Sequence, residues 1–222
     1  NNNYSDALAA TGPLFYYKCN DAASPLVDSS GNGHNAPALG APMFFQTREL
    51  IPTGAGSSWT NVNANAISSS MAFTGGSLSV MCWFNTIATG ANIFLCTGNN
   101  GAGDQLFQLR LVNGILQFNV TDSVNVFHAA NGVGDLRNGK THFVVGVYDG
   151  TTMTLYVDNA VNGVPVSPAF TMRNGNWGVA IASLVSGSGN VINGPIEHVS
   201  GYLRAVTAAE INTLWLAATT LT

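Results

Sequence analysis

Four side chains with acid, base or cationic chemistry fall within fourteen positions near the end of this 222-residue chain. They are Glu197, His198, Arg204 and Glu210, in the run NGPIEHVSGYLRAVTAAEI. A carboxylate beside an imidazole is the minimum for general acid–base catalysis. Neighbours on a strand point to opposite faces, so Glu197 and His198 are expected to diverge if this run is extended. Glu210 reads as structural. Thr207-Ala208-Ala209-Glu210 is a capping box, in which the Thr207 hydroxyl accepts an N–H of the first turn and Glu210 reaches back to the cap. Ile211, Leu214 and Trp215 follow at i, i+3 and i+4 and give a helix one apolar face.

Glycoside hydrolysis needs two carboxylates flanking one bond. The chain has three glutamates, Glu49, Glu197 and Glu210, each without a close acidic neighbour. No Gly-x-Ser-x-Gly elbow is present, and no cysteine–histidine spacing of a known nucleophile. The reading is non-enzymatic. His142 reads as a hydrogen-bonded structural residue and His34 as an exposed one.

Binding chemistry has two candidate sets. Trp59 with Asn61 and Asn63, and Trp177 with Asn176, place an aromatic ring beside amides in loop-like surroundings. A sugar site needs that combination, a ring for the pyranose face and amides for the hydroxyls. The alternative is that each tryptophan packs on its own loop. In DSSGNGHN, Asp28, Asn32 and Asn35 are hard oxygen donors of the kind calcium takes. The same residues also suit an Asx-type turn closed on its own backbone. Trp83 and Trp215 read as buried.

The elements that must hold these residues are strands. SLSVMCWF alternates, Leu78, Val80, Cys82 and Phe84 against Ser79, Met81, Trp83 and Asn85. DQLFQLRLV-NG-ILQFNV predicts a hairpin closed by Asn113-Gly114. HFVVGVY-DGT-TMTLYVD predicts a second, and further strands are expected at Leu14–Cys19, Gly178–Leu184 and Ile196–Leu203. The segment Leu39–Gly76 reads as loops with one or two weak strands. One helix, at the C-terminal end, breaks the pattern.

Composition limits the partners. Charged residues make up 8% and hydrophobic residues 46%, with a net charge of −4. Seven scattered basic side chains form no phosphate-neutralising face, so nucleic acid is not expected. No apolar run approaches the roughly 18 residues of a membrane span. The chain opens on Asn without a basic-then-apolar leader, which reads as a processed or trimmed start. Cys19, Cys82 and Cys96 include no CxxC, which argues against zinc. Cys19 and Cys82 read as buried thiols, with one disulfide left open.

NGPIEHVSGYLRAVTAAEI resembles the closing signature of laminin-G-like, concanavalin A-like domains, a Gly-x-Ile-Asp-x-Val segment running into Tyr-x-Arg-x-Leu-Ser-x-x-Glu-Ile. Gly194, Ile196, Val199, Tyr202, Arg204, Thr207, Glu210 and Ile211 match it. Glu197 stands in place of Asp, and Val206 in place of Leu. In the same order, YSDALAATGPLFYYKCNDA, VDSSGNGHNA, GSLSVMCWF and NGKTHFVVGVYDGTTMTLYVDNA resemble the family's Gly-Pro opening, Asp-x-Ser-Gly-Asn-Gly turn, central strand and long hairpin.

The resemblance implies one all-β domain over 1–222. Its form would be a two-sheet antiparallel β-sandwich, a concanavalin A-like jelly roll of twelve to fourteen strands, with a short C-terminal helix. It also brings Glu197 near the first strand, where a structural Ca2+ could use Asp28, Asn32, Asn35 and Glu197. The expected function is recognition or adhesion on a virion or extracellular surface, with a glycan or cell-surface polysaccharide as ligand. Two alternatives remain open. One is a capsid decoration or tail protein whose partners are other virion proteins or itself. The other is an accessory binding domain of a larger glycosidase.

Overall fold

Apolar residues at a period of two, separated by Gly/Asn turns, become strands in the computed structural model. The structure describes residues 3–21, 24–39, 43–46, 50–51, 58–60, 65–90, 92–99, 105–182, 192 and 194–220. The first sheet contains β1 (Phe15–Tyr17), β3 (Met43–Gln46), β4 (Ser58–Thr60), β7 (Leu78–Asn85), β12 (Thr141–Tyr148), β13 (Met153–Val157), β14 (Ala160–Val161) and β16 (Pro195–Tyr202). The second contains β2 (Ala38–Leu39), β5 (Asn65–Ile67), β6 (Met71–Phe73), β8 (Asn92–Asn99), β9 (Gln105–Val112), β10 (Ile115–Thr121), β11 (Phe127–Asn131) and β15 (Gly175–Ile181). Helices α1 (Asn3–Ala10) and α2 (Ala208–Thr219) complete the described elements. The first sheet runs β14-β13-β12-β7-β16-β4-β3 with β1 also on β16; the second runs β11-β10-β9-β8-β15-β5-β2 with β6 also on β15. All strand pairs are antiparallel. This is the two-sheet sandwich the resemblance implies.

Alternation along β7 divides the interior. Leu78, Val80, Cys82 and Phe84 enter the core between the sheets, with Phe107, Leu109 and Leu111 of β9 among the residues opposite. Met81 and Trp83 point outward, yet they are buried too, under Tyr4 and Leu8 of α1 and Ile211, Leu214 and Ala218 of α2. Trp215 lies flat on Trp83, with ring centroids 5.5 Å apart. The first sheet is therefore covered on both faces. The β9–β10 turn has the positive φ expected at both central residues, 50° at Asn113 and 88° at Gly114. The capping box of α2 is present as read.

Several features depart from the sequence reading. Helix α1 stands in a stretch expected only to lead into a strand; Tyr4 and Leu8, four apart, bury one side of it. Five short strands, β2 to β6, lie within or beside the segment read as mostly loop. Glu197 and His198 do not diverge. The β16–β7 register shifts between Glu197 and Ser200, and His198 takes φ 53°. This bulge inserts one extra residue, so Glu197 and His198 both enter the outer layer before alternation resumes at Val199.

Candidate functional site

The Gly-Pro opening, the DSSGNG turn and the closing signature converge on one cavity. Its volume is about 300 Å³, and it is walled by residues 12–14, Asn32 and residues 202–204. The wall is set by backbone bonds first. Leu14 N–H donates to the Gly201 carbonyl at 2.8 Å, joining the approach to β1 to the end of β16. Gly201 has no side chain because the Phe15 ring lies over it: a Cβ there would be 2.3 Å from Phe15 Cε1.

Asp28 fixes the turn against this strand. Its Oδ1 accepts from Tyr16 N–H and Ser30 N–H, both at 3.0 Å, and its Oδ2 accepts from His34 N–H at 2.9 Å. Asn35 Oδ1 accepts from Asp28 N–H at 2.9 Å. Asn32 reaches across, its Nδ2 donating to the carbonyls of Leu14 at 2.8 Å and Pro13 at 3.3 Å. Two acceptors on one side fix the orientation of the amide, and Asn32 is one of the residues lining the cavity.

The opposite wall is Arg204. Its Nη1 and Nη2 donate to both oxygens of Glu210, at 3.0 and 2.7 Å, and Nη2 also reaches the Thr11 carbonyl. Its guanidinium carbon lies 5.2 Å from the centre of the Tyr202 ring. The Arg204 hydrogen bonds hold the Glu210 carboxyl at a pKa of about 2, so both groups are charged at neutral pH. The Tyr202 hydroxyl pairs with Thr11 Oγ1 at 2.8 Å.

The donors expected for calcium are engaged within the protein as follows. Asp28 Oδ1 is saturated by two N–H groups and Oδ2 accepts a third. The nearby carbonyls of Leu14 and Pro13 are taken up by Asn32, which presents nitrogen to them. Glu197, 3% exposed, directs both oxygens to Leu50 N–H at 3.2 Å, in the layer outside the first sheet. The arrangement is an Asx-type turn. Among the described residues, no group of three or more His, Cys, Asp or Glu is gathered to hold a metal ion.

The tryptophan expectation is corrected at Trp177, which is 3% exposed in the core between the sheets. Trp177 pairs with Met71 across β15 and β6 and shares its inward face with Val179 and Ile181. Arg173 lies 4.7 Å from the centre of its ring. Asn176, its exposed neighbour, points to the other side of the strand. Trp59 lies on β4, paired with Ile196, but its side chain, like Asn61 and Asn63, falls outside the described residues.

Other titratable groups are tied into the fold by hydrogen bonds or burial. His142 binds Asp158 through Nδ1 at 2.8 Å and Asn138 through Nε2 at 3.1 Å. Ser5 Oγ, Tyr16 OH and His198 Nδ1 form a hydrogen-bonded chain at 3.0 and 2.7 Å that ties α1 through β1 to β16. Cys19, Cys82 and Cys96 are all buried free thiols, and burial raises the pKa of each. The walls missed at the sequence level, Gly12, Pro13, Leu14 and Leu203, had a signal in the Gly-Pro and Tyr-Leu-Arg motifs, which were read only as fold markers.

Comparison with known proteins agrees with this architecture. A model of the concanavalin A-like lectin/glucanases superfamily matches residues 56–212. No curated protein sequence matches the chain. Among solved structures, the binding domain of Paraclostridial Mosquitocidal Protein 1 superposes with a TM-score of 0.69 at 14% identity, over 93% of this chain and 52% of that one. The botulinum neurotoxin serotype D ligand binding domain in complex with N-acetylneuraminic acid gives 0.66 at 13%, over 94% and 52%. The botulinum neurotoxin DC binding domain in complex with rat synaptotagmin II gives 0.67 at 13%, also over 94% and 52%. The chain thus spans about half the length of these domains, and at such identities the likeness is one of fold.

Proposed function

Because the chain belongs to the concanavalin A-like lectin/glucanase superfamily, we propose that it is a non-catalytic recognition domain that binds carbohydrate on a cell or particle surface. The observation that carries this reading is the cavity between residues 12–14, Asn32 and residues 202–204. It sets Leu14 and Leu203, in place of a stacking ring, beside the Asn32 amide: apolar surface for the carbon face of a sugar and a polar partner for its hydroxyls. The charged group of its lining is committed: Arg204 is fixed to Glu210, whose carboxyl it keeps ionised at neutral pH. A carboxylate with a pKa of about 2 is a poor general base at neutral pH. The binding domains with the same fold, one of them solved with N-acetylneuraminic acid, support the same class of role.

A scarcely charged surface suits display of many copies on a virion or extracellular structure, since few ions lose water at contacts. The test is purified protein on a broad glycan array, with calcium and with chelator. Saturable binding to a defined set of glycans, equal in both conditions, is the expected result. No binding to any glycan would overturn the reading.

A second reading is assembly with other copies or other virion proteins. It is favoured by the exposed apolar side chains Val124, Val126 and Phe127, in a stretch without Asp, Glu, Lys or Arg between Asp122 and Asp135. A defined oligomer by light scattering, together with a blank array, would favour it.

A further inference from the structure

We propose that the cavity selects uncharged, hydroxyl-bearing saccharide units and discriminates against acidic ones such as sialylated termini. This rests on the reading of the domain as a carbohydrate binder and goes beyond it by naming the ligand class and the site. Arginine recognises a carboxylate best through two parallel N–H bonds from its planar fork. In Arg204 that fork is already closed on Glu210, with Nη1 to Oε2 at 3.0 Å and Nη2 to Oε1 at 2.7 Å. The remaining hydrogens of these nitrogens point at the Ala205 and Thr11 carbonyls, at 3.4 and 3.0 Å. Nε–H is the one donor of the group without a bond among the described residues.

An incoming carboxylate would find a single N–H, with the negative charge of Glu210 directly behind the guanidinium. It would lose most of its hydration for one hydrogen bond. A hydroxyl has no such conflict. It can accept from Arg204 Nε–H, and a neighbouring hydroxyl can donate to Asn32 Oδ1, the end of the amide left over after Nδ2 engages Leu14 and Pro13. Leu14 and Leu203 then meet the carbon face of the ring. The volume, about 300 Å³, is at the small end for ligand pockets, which suits one or two sugar rings rather than an extended chain.

The Arg204–Glu210 pair also caps α2 through Thr207, whose N–H donates to Glu210 Oε2 at 2.8 Å. Opening it to receive an acid would therefore strip the capping carboxylate of its counter-charge. The same pairing that stabilises the C-terminal helix sets the charge preference of the cavity.

The experiment uses immobilised neutral gluco-, galacto- and manno-oligosaccharides and the same cores capped with sialic acid. They are probed with the wild-type chain and with Leu203→Trp and Asn32→Ala. L203W fills the cavity, and N32A removes the acceptor from an exposed position. The expected result is binding to uncapped cores, weakened about tenfold or more in each variant, the scale of one lost hydrogen bond or more, with sialylated cores bound less well. If L203W does not fold, judged by thermal melting, N32A carries the test. Preference for sialylated cores that is lost in the variants would overturn the charge preference. Glycan binding unchanged in both folded variants would overturn the site while leaving the carbohydrate reading intact. A blank array for all proteins would remove that reading and this inference with it.

Discussion

Burial holds His198 at a pKa of about 3, with Lys18 adding a smaller push in the same direction. The ring is neutral in the folded chain and lies among Tyr4 and Tyr16. In the unfolded chain it takes a proton near pH 6.5. A base whose folded pKa is depressed stabilises the fold above the unfolded value and loses that contribution as pH falls toward the folded one. Stability should therefore decline from about pH 6.5 downward, by about 1.4 kcal/mol per pH unit while one proton separates the states. The Glu210 contribution begins to fall only below its ordinary value of 4.5, so urea midpoints between pH 6.5 and 4.5 report on the histidine. A midpoint constant across that interval, or the same slope in His198→Asn, would rule this out. The sequence placed His198 on a strand but could not show the bulge that turns it into the layer under α1. That turn depends on a left-handed φ at a non-glycine residue, which a pattern of apolar positions does not encode.

At the scale of elements, β16 joins the two halves of the candidate site. It carries the core residues Ile196 and Val199, the outer-layer residue Tyr202, and Gly201 beneath the Phe15 ring. Gly201→Ala should lower stability by about 1–3 kcal/mol, the usual cost of overpacking against a ring that cannot retreat from a filled core. Denaturant unfolding measures this, and a change below about 0.3 kcal/mol would show that Phe15 has room to move. The hairpins, the division of β7 into two faces and the capping box of α2 were legible because each rests on local rules: alternation, positive-φ turn residues and a four-residue cap. Helix α1 was not legible. It has one turn of apolar contact at Tyr4 and Leu8, and tertiary packing against the first sheet holds it. Trp177 was misplaced for the opposite reason. NGNWG has turn composition, yet Gly175 to Trp177 pair with Phe73 to Met71 and make the segment a strand.

For the molecule as a whole, apolar packing in two layers outweighs charge. Side chains that carry charge make up 8% of the sequence. The two described pairs between arginine and a carboxylate, Arg137–Asp135 and Arg204–Glu210, are partly exposed, the latter with side chains 39% and 31% exposed. Exposed pairs contribute little and are screened by salt. The melting temperature should therefore move by less than about 2 °C between roughly 0.05 and 0.5 M NaCl. A much larger shift in calorimetry would show that charge pairs, rather than the two apolar layers, dominate the stability. Within this frame the fold was readable from five ordered motifs. The cavity was not, because its walls come from three segments far apart in sequence that meet only when β1 pairs with β16.

Helices α1 and α2, at opposite ends of the described chain, share one layer on the outside of the first sheet. Tension applied between those ends would load the helix layer before the sheets. Because Glu210 belongs to α2 and Thr11 follows α1, a pulled domain would release Arg204 from both partners as its helices came away, and the cavity would change its charge character before the sheets parted.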